Sequence, residues 1–240
     1  MRPLFLAALS AIAFGAQASV AGAQVEVGRL VEGVRCQADP SQSYSLYLPS
    51  GYDSTRKWPV LLVFDPRGRS VESARLFESA AEDHGWIILS SNDTRSDSGM
   101  GPNQKAVAAL WPELESRYSV DRRRIYAAGF SGTVAPAMLL SQATGGIAGV
   151  FAVGGRFLPE ILEDLDGAVF GAVGTTDFNN LEMRKVHRFL IEKGGPSRLY
   201  VFEGGHQWMS ADIARTGVGW FELLAMRDQA APWNKEFVTE

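Results

Sequence analysis

Short unbroken apolar runs punctuate the chain at residues 60–64, 86–89, 125–128, 149–153, 168–173 and 199–202. Runs apolar on both faces suit strands of a parallel sheet with helices packed on each side. Between them the apolar positions repeat at helical spacing, which predicts helices over about 71–84, 104–118, 132–142, 178–193 and 209–227. Phe77, Ala80 and Ala81 mark the buried stripe of the first, and Val107, Leu110, Trp111 and Leu114 that of the second. Ahead of this alternation the pattern differs. Residues 43–48, Ser-Tyr-Ser-Leu-Tyr-Leu, alternate polar and apolar as a half-buried strand should, and stop at Pro49-Ser50-Gly51, so the N-terminal part reads as paired antiparallel strands. Strand alternating with helix predicts the α/β class: a doubly wound, mostly parallel sheet with N-terminal antiparallel strands.

The first 23 residues stand apart. Arg2 precedes an apolar stretch over 4–14, and Ala21-Gly22-Ala23 offers a small-residue cleavage site, with Ala16-Gln17-Ala18 as an earlier one. This is the pattern of a signal peptide, and the apolar run is too short to span a bilayer. The expectation is a leader over 1–23, a mature protein from near Gln24, and export to a bacterial periplasm or beyond without a membrane anchor. No Pro/Gly/Ser-rich linker or internal repeat divides the remainder, so 24–240 is expected to be a single domain.

Composition narrows the class further. At 46% hydrophobic residues the chain is not a disordered one. A net charge of −4 gives no electrostatic reason to expect nucleic acid as a partner. Cys36 is the single cysteine, which excludes an internal disulfide, and a buried inert thiol is expected. No histidine or cysteine pair stands at metal-ligand spacing, and Gly99-Met100-Gly101 leads into Pro-Asn-Gln-Lys rather than a phosphate loop. No metal and no organic cofactor is expected.

In doubly wound sheets ligands sit beyond the carboxyl ends of the strands, so the search narrows to the loops that follow each run. Gly129-Phe130-Ser131-Gly132 lies between a strand and a helix, where a nucleophile elbow belongs; Thr133 stands where the usual G-x-S-x-G pattern has its last glycine. The competing reading of Ser131 is a helix N-cap. Of three histidines, His84 precedes Gly85 at a helix end, where a cation is favourable, and His187 lies mid-helix. His206 follows a strand directly, in Gly204-Gly205-His206. Asp177 ends Gly-Thr-Thr-Asp after another strand, where it competes with a role as N-cap of the next helix; Asp164 and Asp166 lie at the opposite edge of the sheet. The order Ser131…Asp177…His206, each on a loop after a different strand, points to a nucleophile, an orienting acid and a base.

The sequence resembles the α/β-hydrolase superfamily, and within it small secreted esterases related to polyhydroxyalkanoate depolymerases and feruloyl esterases. The likeness covers most of the chain after the leader: residues 44–52 (Tyr-Ser-Leu-Tyr-Leu-Pro-Ser-Gly-Tyr), 59–64 (Pro-Val-Leu-Leu-Val-Phe), 117–121 with Arg124-Ile125-Tyr126, then Gly129-Phe-Ser-Gly132 and Gly204-Gly-His206. In that family the strand before the first catalytic loop usually ends in His-Gly, and here Asp65-Pro66 replaces it. Pro66 has no N–H to donate, so the resemblance places the oxyanion hole at the backbone N–H groups of Arg67 and Gly132.

What the resemblance implies is a secreted serine hydrolase that cleaves carboxylic esters through an acyl-enzyme, acting on a small-molecule or polymeric ester. Trp208, Arg69 and Asn92 are further candidates for substrate contact. Arg67, Arg69, Arg95 and Arg156 all fall on loops at the reactive edge, where they either favour an acidic substrate or are solvated surface charge. About a dozen residues separate Gly154-Gly155 from the strand at Ala168, too few for a large lid. Two alternatives remain: a serine peptidase of the prolyl-oligopeptidase type, for whose propeller the chain has no room, and a non-catalytic hydrolase-fold binding protein of the envelope.

Overall fold

The computed structural model describes residues 19–20, 23–24, 26–96, 98–144, 147–157, 162–163, 165, 167–235 and 237. The expected leader lies almost wholly outside the described residues; of it, Ser19–Val20 (β1) pairs with Ala23–Gln24 (β2) as a two-residue antiparallel ladder. Asp164 and Asp166 also lie outside them.

From residue 30 onward the elements run β3 (Leu30–Arg35), β4 (Ser43–Tyr47), β5 (Trp58–Phe64), α1 (Ser70–His84), β6 (Ile87–Ser91), α2 (Gly101–Ser116), β7 (Val120–Phe130), α3 (Val134–Thr144), β8 (Gly149–Val153), β9 (Ala168–Gly174), α4 (Asn180–Glu192), β10 (Ser197–Phe202) and α5 (Ala211–Arg227). Eight strands form one sheet in the order β10-β9-β8-β7-β5-β6-β4-β3. The six from β10 to β6 are parallel, and β4 and β3 add antiparallel at one edge. This is the α/β-hydrolase fold.

The apolar runs read from the sequence are the central strands, and the reason is visible in β5. Its seven residues are all buried, yet they serve two cores. Val60, Leu62 and Phe64 pack on one face of the sheet, with Leu110, Leu114, Met138 and Val186 from the helices there. Leu61 and Val63 point to the other, with Phe77, Phe151, Phe170 and Phe221. The two-residue strand period distributes one continuous apolar run over both layers.

β4 departs from its expected half-buried alternation. Ser45 is buried as fully as its apolar neighbours, because the first turn of α1 covers it and its hydroxyl meets that of Ser70 at 2.7 Å. A polar side chain can face the core when it is hydrogen-bonded there. α1 stops where the sequence predicts: Gly85 takes the left-handed conformation (φ 70°) that a side chain disfavours, and its N–H closes on the Ala81 carbonyl. Burial holds the His84 imidazole, in that last turn, below the ordinary histidine range, against the positive charge that a helix C-terminus favours. Among the described residues, no helix is long and apolar enough to cross a membrane.

Candidate active site

At the carboxyl ends of the parallel strands, three side chains from three different loops meet. His206 Nδ1 lies 2.9 Å from Asp177 Oδ2, and His206 Nε2 lies 2.8 Å from Ser131 Oγ. A carboxylate only accepts, so Nδ1 carries the proton and Nε2 is left to accept from the serine hydroxyl. Asp177 is buried, whereas the His206 side chain keeps about a quarter of its surface (24%) open to solvent.

Ser131 sits at φ 53°, one of two described non-glycine residues with positive φ. Such a backbone costs on the order of 1–2 kcal/mol and persists only where the surroundings impose it. They do so here through Gly129 and Thr133. A Cβ on Gly129 would come within 2.3 Å of the Thr133 carbonyl oxygen, so the turn closes only over a bare Cα. Thr133, the residue that breaks the usual elbow pattern, is fully buried, and its hydroxyl stitches the turn together. It accepts from the Phe130 N–H (3.1 Å) and donates toward the Phe64 carbonyl (2.6 Å) of the adjacent strand. Thr133 therefore supports the elbow. The N-terminal N–H of Gly132, in the single turn 131–133, lacks an intrahelical acceptor, as the first groups of a helix do.

Asp177 is not the N-cap of α4: that position is held by Asn179, and Asp177 lies two residues ahead of it. One oxygen faces His206, and the other accepts the Asn179 N–H (2.8 Å) at the entrance to α4. Asn179 in turn donates its side-chain amide to the Gly154 carbonyl (2.8 Å). Gly154, at φ 48°, runs so close beneath that a Cβ would lie 2.7 Å from Asp177 Oδ2 and 3.4 Å from His206 Nδ1. Two rings that sequence reasoning missed flank the imidazole. Phe130 lies at 4.8 Å and Phe178 at 4.2 Å between ring centroids. Phe178 is 76% exposed, so it forms a wall of the open mouth. Its neighbour position to Asp177 was the available signal.

The other predicted contacts are distributed differently. The Arg67 N–H, expected to face an oxyanion, donates to Asp65 Oδ1 at 2.8 Å. Asp65 is 1% exposed and gathers four more donors: Arg69 through its N–H (3.3 Å), Nε (3.1 Å) and Nη2 (2.9 Å), and Trp208 Nε1 (2.8 Å). Burial works against its ionisation, but the hydrogen bonds from Arg69, Trp208 and the Arg67 N–H outweigh it and hold the carboxyl below the usual aspartate range. Asp-Pro-Arg-Gly is the sequence of an Asx-turn, in which the carboxylate bonds its own backbone two residues on, and that was the signal for this arrangement.

Three residues expected to contact substrate already have polar partners within the protein. Arg69 is neutralised by Asp65. Trp208 spends its polar edge on Asp65 and packs its ring on Phe130 (5.5 Å) and Phe77 (6.3 Å), bracing the loop of His206 from the core side. Asn92 turns inward, accepting from Ser70 (2.5 Å) and donating to the Ser43 hydroxyl (3.1 Å). His187 stays away from the site, paired with Ser197 Oγ at 2.9 Å.

No known family model matches the chain, and no curated relative matches it by sequence. Solved structures resemble it closely in shape. A ferulic acid esterase is 16% identical, with a TM-score of 0.58 over 79% of this chain and 95% of that one. S-formylglutathione hydrolase from Staphylococcus aureus is 13% identical, with a TM-score of 0.64 over 83% of this chain and 99% of that one. Dipeptidyl peptidase 4 from Porphyromonas gingivalis is 14% identical, with a TM-score of 0.60 over 81% of this chain but 35% of that one. At such identities the likeness carries the fold: neighbours with this architecture include esterases, other serine hydrolases and parts of peptidase chains.

Proposed function

We propose that the chain is a serine hydrolase of carboxylic esters, working through an acyl-enzyme and exported by its leader over 1–23. The observation that carries this reading is the continuous hydrogen-bonded line from Asp177 through His206 to Ser131, with the serine on a strained elbow. A serine serving only as an N-cap has no need of a histidine at 2.8 Å, or of a buried carboxylate behind that histidine.

In the proposed reaction His206 Nε2 takes the Ser131 proton as Oγ attacks the ester carbonyl, and Asp177 fixes the tautomer and stabilises the imidazolium. The developing oxyanion is received by the Gly132 N–H, which has no acceptor within its own helical turn. Such a donor is worth on the order of 3 kcal/mol in the transition state. The Arg67 N–H is committed to Asp65 in this arrangement, so the hole is asymmetric, with one firm backbone donor. His206 then returns its proton to the leaving alcohol, and a water that it activates releases the acyl group. Phe178 and Phe130 pack against the imidazole and reduce its contact with water, which strengthens its electrostatic contacts. The half-exposed mouth suits a soluble ester or the accessible end of a polymer.

The test is hydrolysis of p-nitrophenyl acetate and butyrate by the purified protein, beside Ser131→Ala and labelling with a fluorophosphonate. Turnover and labelling that both vanish in Ser131→Ala support the reading. A wild-type protein that neither labels nor hydrolyses would sink it and leave the binding-protein alternative.

A further inference from the structure

We propose that the acyl half of the substrate ends in a carboxylate, held by Arg67 and Arg95 on the side of Ser131 that faces away from His206. This rests on the ester-hydrolase reading above and adds to it the chemical class of the acyl group.

The order of strands sets which half of an ester faces which residues. The loops that follow β10, β9, β7, β5 and β6 carry His206, Asp177, Ser131, Arg67 and Arg95, and those strands lie in that sequence across the sheet, with β8 between β9 and β7. His206 must protonate the departing alcohol, so the alcohol leaves toward β10 and Phe178. The acyl group is left on the opposite flank, above β5 and β6, where the two arginines stand.

Arg95 is a built group rather than a loose surface cation. Its backbone is bracketed by the buried amide of Asn103: Arg95 N–H donates to Asn103 Oδ1 (2.9 Å), and Asn103 Nδ2 donates to the Arg95 carbonyl (2.7 Å). The guanidinium is fixed through Nη1 alone, which donates to the carbonyls of Asn92 (2.9 Å) and Thr94 (2.6 Å). It lies directly against the oxyanion loop. A Cβ on Gly68 would fall 2.0 Å from Arg95 Nη1, and Gly68 also has φ 66°, so glycine is needed there on both counts. The next residue along the chain, Ser96, donates its N–H to the Pro66 carbonyl (3.1 Å) and packs against Gly132. The Arg95 loop is thus wedged between the oxyanion loop and the elbow.

Its partners are neutral carbonyls. Among the described residues no carboxylate lies within ion-pair distance of Arg95 or of the exposed Arg67, whereas Arg69 between them is neutralised by Asp65. The Nε–Nη2 edge of Arg95 has no acceptor among the described residues. That edge is the planar fork which matches a carboxylate with two parallel hydrogen bonds. Two guanidiniums on adjacent loops with no ion-pair partner among the described residues, in a chain of net charge −4, make a local field opposite in sign to that of the whole molecule. Such a field steers and orients an anion.

The experiment compares kcat/KM for 4-nitrophenyl hydrogen adipate and 4-nitrophenyl hexanoate, esters of equal acyl length with and without a terminal carboxylate. The measured quantity is the ratio of the two. The expected ratio is about tenfold in favour of the adipate at low ionic strength, shrinking toward unity in roughly 0.5 M salt. Arg95→Gln and, separately, the exposed Arg67→Gln each lower that ratio severalfold, through KM for the adipate. A wild-type ratio at or below one, or a ratio unmoved in both variants, overturns the proposal while leaving the ester-hydrolase reading intact. If neither ester is turned over and Ser131 does not label, both fall together.

Discussion

Asp65 ties two loops of the site into one body, and its removal has a calculable cost. In Asp65→Asn the side chain keeps its shape but only one oxygen. If that oxygen keeps the Arg67 and Arg69 N–H groups, the new amide nitrogen faces Trp208 Nε1, donor against donor; the flipped amide strands the Arg67 N–H instead. Either way one charge-assisted hydrogen bond is lost and a half-buried donor is left unpaired, about 1.5–3 kcal/mol. The ion pair to Arg69, whose side chain is 42% exposed, adds little after solvent screening, about 0–1 kcal/mol. The sum of roughly 1.5–4 kcal/mol leaves a domain of this size folded but lowers its Tm by roughly 3–16 °C. Trp208→Phe removes only the indole N–H, and a double-mutant cycle with Asp65→Asn is expected to show a coupling of about 1–2 kcal/mol in urea unfolding. Because the folded-state pKa of Asp65 is depressed, its contribution is fully present above the ordinary aspartate range and is lost as pH falls through the lower folded value. The difference between wild type and Asp65→Asn should therefore narrow in acid below about pH 4. Ester turnover should fall in both variants, as the His206 loop loses its brace. A coupling indistinguishable from zero, or a kcat that rises in Asp65→Asn because the Arg67 N–H is released to the oxyanion, would refute the brace.

Three other outcomes follow from the same geometry. Asp177→Asn should preserve the melting temperature within a few degrees while lowering kcat on the order of 10³–10⁴-fold, because the amide no longer selects the Nδ1–H tautomer of His206; a loss under tenfold contradicts the proposed role. Gly154→Ala combines a left-handed backbone with a Cβ 2.7 Å from Asp177 Oδ2, and should lower kcat at least tenfold by displacing the carboxylate, read as steady-state turnover on the folded variant. Thr133→Val should destabilise by about 1–3 kcal/mol and reduce labelling of Ser131, since the Phe130 N–H and Phe64 carbonyl lose their buried partner, whereas Thr133→Ser should recover most of both.

The central strands were legible because burial on both faces leaves an unmistakable mark: a run such as 60–64 has no polar position to hide. The helices between them were placed to within a few residues, and the loops carrying Ser131, Asp177 and His206 followed from topology together with the Gly129-Phe-Ser-Gly132 motif. What escaped was the partner choice of individual polar groups. Asn92 and Trp208 stand on loops beside the site, yet their hydrogen bonds run inward to Ser43, Ser70 and Asp65, and side-chain direction at a loop is not periodic. In the sequence Asp65 stands out only for the His-Gly it replaces, because the donors that a buried carboxylate gathers come from side chains as distant as Trp208. Thr133 looked like a defect in a glycine pattern, because its value lies in a carbonyl on a strand 69 residues away.

His206 follows the outermost parallel strand, β10, which pairs on one side only, with β9, and has no fully buried residue along its length. Ser131, by contrast, follows β7 in the middle of the sheet. Regions with few buried contacts open at lower free energy than the core does. His206, the proposed base, thus follows the edge strand of the parallel set, and Ser131, the proposed nucleophile, follows a central one. On heating or in mild denaturant, fraying of that single edge separates the two before the sheet itself gives way. Any activity that needs His206 beside Ser131 is therefore expected to be lost by local opening before global unfolding, and to return while the edge can re-pair.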